Sequence, residues 1–314
     1  MSPIPSSTSS SNTSRWIKTL RFIALVCLLA YSFQYFFEKK IILGSESAAA
    51  YKVNRILYGN DETEIPIFGP STAQGGLIPD LLNPHCFNYG MDGVREDVLL
   101  FFLKEECKKT RKNPHILLVL SPDGLSYSLG DLNNYILNSN NPDVRDLLGA
   151  NYKLYYKMPL VKYYGQCESY FKDYLNERMM LTKYKDKGAS VEKDVLTKER
   201  FNSLVEERKN TITIFKNDSG LEKAFVSLVR DHPQRTFVII IPPVHPSYFY
   251  RYKNYDEALR FFTYLAGFPN IRVLNYSHQF YPDDYYVNTM HLNYTGAVAF
   301  NNLLKDSLQK IISE

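Results

Sequence analysis

The run Ile67-Phe68-Gly69-Pro70-Ser71-Thr72-Ala73 places a glycine and then a serine directly after a short apolar segment. Similar short segments rich in β-branched residues recur along the chain. They are too short for helices and predict buried parallel strands. The predicted strands are residues 65–68, 116–120, 237–241 and 271–274, with residues 85–89 as a further candidate.

Amphipathic patterns with helical spacing lie between these strands and predict helices at residues 94–109, 221–231, 255–266 and 295–312. The alternation of strand and helix predicts an α/β fold in three layers, in which a parallel sheet is covered by helices on both faces. Residues 125–216 interrupt this pattern. They are rich in Tyr, Lys, Asn and Asp, with helical patterns near residues 161–181 and 193–209, and we interpret them as an inserted helical cap.

Composition excludes several classes of function. The chain has 314 residues, of which 45% are hydrophobic and 22% are charged, so it is neither disordered nor fibrous. Its net charge of +4 and short basic runs give no basis for binding nucleic acid. Glycine-rich nucleotide motifs are absent from the sequence, and the six histidines lack metal-ligand spacing. Four cysteines without a Cys-x-x-Cys pair argue against a disulfide scaffold. We therefore expect no cofactor and no metal.

The N-terminus has the composition of a membrane signal. Residues 1–15 are mostly Ser, Thr, Pro and Asn and predict a disordered leader. Residues 16–40 contain an apolar run preceded by Arg15, Lys18 and Arg21, which predicts a transmembrane signal anchor with its N-terminus in the cytoplasm. A cleaved signal peptide is the alternative, with 48–50 (Ala-Ala-Ala) as the cleavage site, although this site lies far beyond the apolar run. On the anchor interpretation, residues 41–314 form one extracytoplasmic α/β domain.

Two segments are candidates for chemistry. Ser71 lies at the carboxyl end of a predicted strand, where open α/β sheets bind ligands, and it is alternatively a helix cap. His291 follows a polar loop just before the last helix, where it is either a base for a serine nucleophile or a structural cap.

Together these segments resemble the SGNH (GDSL-like) hydrolase superfamily, and within it the membrane-anchored cell-envelope branches that include DltD-like and AlgJ/AlgX-like proteins. The resemblance covers roughly residues 53–312. Its motifs are 69–71 (Gly-Pro-Ser), 88–93 (Asn-Tyr-Gly-Met-Asp-Gly), 120–124 (Leu-Ser-Pro-Asp-Gly) and 288–291 (Asn-Thr-Met-His). It implies a flavodoxin-like sheet of the SGNH-hydrolase type.

The resemblance also implies roles for individual residues. Ser71 would be the nucleophile and His291 the general base, oriented by Asn288 with help from Asp284. The backbone N–H groups of Ser71 and Gly93, or alternatively Gly90, would bind the oxyanion.

Further residues of the predicted site are Asn88, which begins the second motif, Asp123, which either supports the catalytic loop or shapes a turn, and His245, which either lines the pocket or ends a strand.

Two positions depart from the family pattern. Pro122 replaces an asparagine that donates to the oxyanion, and proline has no N–H to donate. Asn288 replaces the aspartate that stabilises a protonated histidine. Such a replacement costs about 10⁴ in turnover in a serine protease.

The leading hypothesis is a membrane-anchored serine esterase or O-acyltransferase acting on an envelope polysaccharide or another acylated polymer. A membrane acyl-donor protein is an implied partner. The alternative is an inactive protein of the same fold that binds glycan or organises an acyltransferase complex. An α/β-hydrolase is a weaker alternative, because Ser71 comes too early and Ala73 is not the expected glycine.

Overall fold

The computed structural model describes residues 10–94, 96–122, 132–159, 161–179, 183–193, 195–210, 214 and 218–313. Asp123, the first nine residues of the leader and parts of the predicted insertion lie outside these ranges. The strands are β1 (Ile65–Phe68), β2 (Cys86–Asn88), β3 (His115–Val119), β4 (Lys183–Asp186), β5 (Ala189–Glu192), β6 (Thr236–Ile241) and β7 (Ile271–Asn275).

The α-helices are α1 (Ser10–Phe37), α2 (Ala49–Tyr58), α3 (Ser71–Gly76), α4 (Pro79–Leu82), α5 (Glu96–Cys107), α6 (Pro142–Leu148), α7 (Cys167–Met179), α8 (Lys198–Asn210), α9 (Ser219–Asp231), α10 (Tyr255–Leu265) and α11 (Tyr294–Ile312). A π-helical segment, Glu38–Ile42, continues α1. Short 3₁₀ turns are Leu132–Asn138, Gly149–Asn151, Leu154–Lys157, Pro246–Arg251 and Asp283–Tyr285.

The central sheet is parallel and, in the described part of the chain, contains five strands in the order β2-β1-β3-β6-β7. Helices cover both faces, so the predicted three-layer α/β fold is confirmed. With the β4–β5 pair set aside, the strand order is the flavodoxin-like 2-1-3-4-5. The chain reverses direction across the sheet between β1 and β3, and ligands of such folds bind at this switch point.

Alternate side chains of the strands enter two apolar clusters, as expected where a sheet is buried on both faces. Phe68 and Leu118 pack toward α5, α9 and α10, whereas Ile67 and Leu117 pack toward α3, α4 and α11. The five predicted strands and four predicted helices all occur, with small shifts at their ends. Strong hydrophobic periodicity therefore predicted the scaffold.

The β4–β5 pair corrects the expectation of a purely helical insertion. It is an antiparallel hairpin whose two-residue turn, Lys187-Gly188, has positive φ at both positions, +37° and +87°. This is the geometry of the type I′ turn, which matches the twist of paired strands. A Cβ added at Gly188 would lie 2.1 Å from the Asn88 carbonyl oxygen, so glycine allows the hairpin to approach the end of β2.

The N-terminal helix is long and apolar enough over Ser14–Ile42 to cross a membrane. It begins at Ser10, within the predicted leader, because a helix stabilised by its apolar part extends readily through adjacent Ser, Asn and Thr. Its end is part of the domain: Phe37 is buried, with its ring 5.6 Å from that of Tyr163. The Glu38 carboxylate accepts hydrogen bonds from Tyr163 Oη at 2.7 Å and Lys162 Nζ at 3.2 Å.

Candidate active site

Ser71 is the first residue of α3, directly after β1 at the switch point of the sheet. Gly69 makes the sharp turn between them with φ +150°. A Cβ at Gly69 would lie 2.8 Å from both the Val119 carbonyl oxygen and the Ala73 Cβ, so the turn requires glycine. Because Ser71 begins the helix, its backbone N–H has no acceptor one turn earlier in α3.

The structure brings Ser71, His291 and Asn288 together. Ser71 Oγ lies 2.7 Å from His291 Nε2, and His291 Nδ1 lies 3.0 Å from Asn288 Oδ1. Asn288 Oδ1 also accepts the backbone N–H groups of Met290 and His291, which fixes it as an acceptor. Nδ1 of His291 must then carry the proton, so its Nε2 has a lone pair directed at the serine hydroxyl. This tautomer is the one required to remove the serine proton.

The loop that carries His291 is held by its own backbone and by α11. The Val287 N–H donates to the His291 carbonyl at 2.8 Å, and Tyr286 pairs with Leu292 as an antiparallel bridge. Asn293 caps α11 by accepting from the Gly296 N–H at 3.1 Å. The polar stretch before the last helix is therefore a tight turn that directs the imidazole toward β1.

Asp284 does not join this relay in the described residues. Its side chain is exposed, and its backbone carbonyl accepts from Asn293 Nδ2 at 2.6 Å. Since Nδ1 of His291 is bonded to Asn288, the expectation that Asp284 assists in orienting the imidazole is wrong for this geometry. Asp284 instead supports the turn through its backbone.

Asn88 and Gly90 support the loop that follows β2. Asn88 Nδ2 donates to the carbonyl oxygens of Ala73 and Leu77, each at 2.8 Å, and Asn88 Oδ1 accepts the Gly90 N–H at 2.8 Å. Asn88 is fully buried, and its amide connects α3 to the loop. The Gly90 N–H is thus committed to Asn88, which corrects its assignment as an alternative oxyanion donor.

Gly93 remains the candidate donor on this loop. It is exposed and has φ +60°, the left-handed conformation that favours glycine. The loop is attached to the serine turn, because the Met91 N–H donates to the Gly69 carbonyl at 3.1 Å. The buried Lys52 ammonium on α2 donates to the Gly90 carbonyl and supports the loop from below. Sequence reasoning missed Lys52, since one lysine in an amphipathic pattern carries no distinguishing signal.

His245 lies beside the histidine loop with its ring fully engaged elsewhere. Its Nδ1 accepts the Ser247 N–H at 3.2 Å, and its Nε2 lies 3.3 Å from Asp283 Oδ1. Its ring makes an edge contact with Tyr286, and burial raises the pKa of that phenol to about 12. The His245 backbone N–H donates to the Thr289 carbonyl at 3.0 Å, in the loop that carries His291. His245 lies four residues after the end of β6 and caps the 3₁₀ turn Pro246–Arg251.

A cavity of about 360 Å³ lies next to these loops. It touches Gln74, one turn after Ser71, and Asp92, the neighbour of Gly93. Its other walls come from the end of the N-terminal helix, the start of α2, α7 and the hairpin. They include Ile41, Ile42, Ala49, Tyr170, Tyr174 and Lys183. Sequence reasoning missed this wall, because these residues lie in segments distant along the chain.

Comparisons with known proteins add little to this geometry. No known family and no curated protein matches the chain. The chain is similar to a solved structure from Streptococcus pneumonia, provisionally described there as a platelet activating factor. The two share 14% sequence identity over 91% of this chain and 99% of the other, with a TM-score of 0.42. The α/β fold assigned above follows from the strands and helices of this chain.

Proposed function

We propose that this chain is a membrane-anchored serine esterase or O-acyltransferase of the SGNH (GDSL-like) type, related to the cell-envelope branches with DltD-like and AlgJ/AlgX-like proteins. The observation that carries the proposal is the relay from Ser71 through His291 to Asn288, with its 2.7 Å and 3.0 Å separations. Nucleophile, base and orienting group in this order constitute a nucleophilic acyl-transfer site.

The proposed reaction has two steps. Ser71 Oγ attacks the carbonyl carbon of an acyl ester while its proton moves to His291 Nε2. The N–H groups of Ser71 and Gly93 stabilise the oxyanion, and the leaving alcohol takes the proton from His291 as the ester bond breaks. A water or a glycan hydroxyl then gives its proton to His291 and attacks the acyl carbonyl carbon. The bond from that carbon to Ser71 Oγ breaks, Ser71 takes the proton from His291, and the acid or the new ester leaves.

The acceptor we propose is an envelope polysaccharide or related polymer. The domain would act outside the cytoplasmic membrane, and the N-terminus of the chain would lie in the cytoplasm. The basic residues before the apolar helix favour this orientation. Retention of the anchor is favoured by Phe37, Ile42 and Ala50, all buried in the domain core, since cleavage after Ala50 would remove them.

The second candidate is a binding or assembly protein on an inactive hydrolase fold. Asn288 supports it, because an amide adds no negative charge beside a protonated imidazole. Pro122 supports it too, because it lacks an N–H at the place of an oxyanion donor.

A fluorophosphonate probe separates the two candidates. Full-length protein in detergent micelles is treated with the probe across pH 6–9, and the intact mass is recorded. We expect one adduct, formed as Ser71 Oγ displaces fluoride from phosphorus. Ser71→Ala should form none, and His291→Asn should react slower by a factor of about 10²–10⁴. A folded wild-type protein without an adduct would favour the binding protein, and glycan binding would then be measured.

A further inference from the structure

We propose that an exposed apolar face on residues 154–159 and 161–179 lies on the bilayer beside the anchor, so that the domain is held against the membrane surface at two places. The proposal rests on the anchoring proposed above. It adds a second contact surface whose partner is the lipid surface of the membrane that α1 crosses.

The first observation is where this segment joins the anchor. Tyr163 contacts the Phe37 ring, and Tyr163 with Lys162 holds the Glu38 carboxylate. Tyr163 also contacts Tyr170 of α7, with ring centroids 5.7 Å apart. An unbroken series of contacts therefore connects the last turns of the membrane helix with α7.

The second observation is that large apolar side chains surround this junction and face solvent. Met158, Val161 and Tyr164 flank the buried pair Lys162 and Tyr163, and Tyr164 is 77% exposed. In a water-soluble domain such groups are usually scattered singly, whereas a concentrated set marks an interface. Here they concentrate at the point where the chain leaves the membrane.

The third observation is a stripe on α7. Phe171, Leu175 and Met179 are spaced at i, i+4 and i+8, so they share one face of the helix, and all three are exposed. The neighbouring Tyr170 and Tyr174 line the cavity beside the catalytic loops. One side of α7 thus borders the site while another presents apolar groups outward.

The charges of this face fit a lipid surface. Lys153 and Lys157 are exposed beside Leu154 and Met158, whereas the exposed Lys172 next to Phe171 on α7 pairs with the exposed Glu168 at 2.7 Å. Lysines next to apolar and aromatic groups are typical of segments that lie in the headgroup region of a membrane. Such a surface would also place the cavity wall formed by α7 close to the bilayer.

The test uses the full-length chain in lipid nanodiscs with acyl chains brominated near the headgroups. Trp16, the single tryptophan of the sequence, reports insertion of the anchor. An environment-sensitive NBD dye on Phe171→Cys reports the proposed face, and the dye on Tyr264→Cys is the matched control. Tyr264 is an exposed aromatic on α10 whose ring contacts Phe268. Cys27 and Cys167 are changed to Ser, while Cys86 and Cys107 are buried and stay unlabelled.

We expect the brominated lipid to quench Trp16 and the dye at position 171, with a loss of most emission, and to leave the dye at position 264 unchanged. Quenching of Trp16 without quenching at position 171 would overturn the membrane face but keep the anchor. Unchanged emission from both Trp16 and the dye at position 171 would refute the anchoring itself. A dye at position 171 that is shielded from aqueous iodide yet unquenched by lipid would point to a protein partner and also overturn the proposal.

Discussion

At the scale of single residues, Asn288 is the position where the site departs most from a fully charged relay. Its Oδ1 accepts three N–H groups, two from the backbone and one from the imidazole. An aspartate would accept the same three bonds and add a negative charge beside the imidazolium that forms during proton transfer. The asparagine thus maintains the geometry of the base without the electrostatic stabilisation.

We predict that Asn288→Asp raises the rate of ester hydrolysis or fluorophosphonate labelling by at least about tenfold. The upper limit is the ~10⁴ loss of turnover that the reverse change, from Asp to Asn, causes in a serine protease. The acid limb of the pH–rate profile should move to higher pH, because the carboxylate favours protonated His291 and only neutral His291 accepts the serine proton. Asp284→Asn, at an exposed carboxylate outside the relay, is the control. Equal rates for Asn288→Asp and wild type would show that the imidazole gains no charge in the rate-limiting step.

The same scale shows what sequence alone predicts about the site. Ser71 was identifiable because it follows a strongly periodic strand, at the end where parallel strands place ligands. His291 was identifiable because it lies in a polar loop just before the strongly periodic last helix. Asn88, by contrast, was predicted as a site residue that begins the second motif, and its amide connects α3 to the loop after β2. Which hydrogen bonds a buried amide makes depends on neighbours brought together by folding, and the local sequence does not contain that information.

At the scale of elements, a buried cluster of charges holds α5 against the amino end of β1. The fully buried Glu106 accepts two hydrogen bonds from Arg111, from Nε to Oε1 at 2.5 Å and from Nη2 to Oε2 at 2.7 Å. Arg111 also reaches Glu64 at 3.2 Å, just before β1. Burial opposes the charge of the Arg111 guanidinium, but its bonds to Glu106 help to keep its pKa raised above the usual value.

We predict that Glu106→Ala lowers the free energy of unfolding by about 3–5 kcal/mol, because it leaves the Arg111 charge buried with less compensation. The measurement is urea unfolding of the full-length chain in micelles. Glu168→Ala on α7 is the matched control, since its pair with Lys172 is highly exposed and should change the free energy by less than about 1 kcal/mol. A small change in the free energy of unfolding for Glu106→Ala would mean that water enters the cluster and replaces the hydrogen bonds that Glu106 makes to Arg111.

The elements also show why the insertion was predicted less well than the sheet. Helices α7 and α8 occur near the expected positions, yet the hairpin between them was not expected. Its turn is Lys187-Gly188, which lacks the Asn-Gly or Asp-Gly signature of a type I′ turn. The hairpin is stabilised by contacts outside itself, such as the Lys187 carbonyl that accepts the Asn88 N–H at 2.9 Å. Its strand pairing follows from tertiary contacts more than from local propensity.

At the scale of the whole molecule, the apolar N-terminal helix and the α/β domain share one hydrophobic core. Phe37 and Ile42 belong to the same cluster as Val53 of α2 and Phe68 of β1. Two hydrogen bonds from Tyr163 and Lys162 add to this packing at Glu38. The domain is therefore attached to the helix at a defined angle, in contrast to a domain on a flexible linker.

We predict that Glu38→Ala loosens this attachment. Burial and the Glu38 charge raise the pKa of the Tyr163 phenol, so it stays a neutral donor. Removing the carboxylate takes away the acceptor of the hydrogen bonds from Tyr163 and Lys162. Backbone hydrogen exchange of the full-length chain in micelles should become faster across residues 37–43 and 161–166, while β3 and β6 are unchanged. Glu46→Ala, at an exposed position of the same connection, should leave both segments at the wild-type rate. If Glu38→Ala also exchanged at the wild-type rate, the apolar packing of Phe37 and Ile42 alone would suffice to orient the domain, and the polar contacts would contribute nothing measurable to its angle to the N-terminal helix.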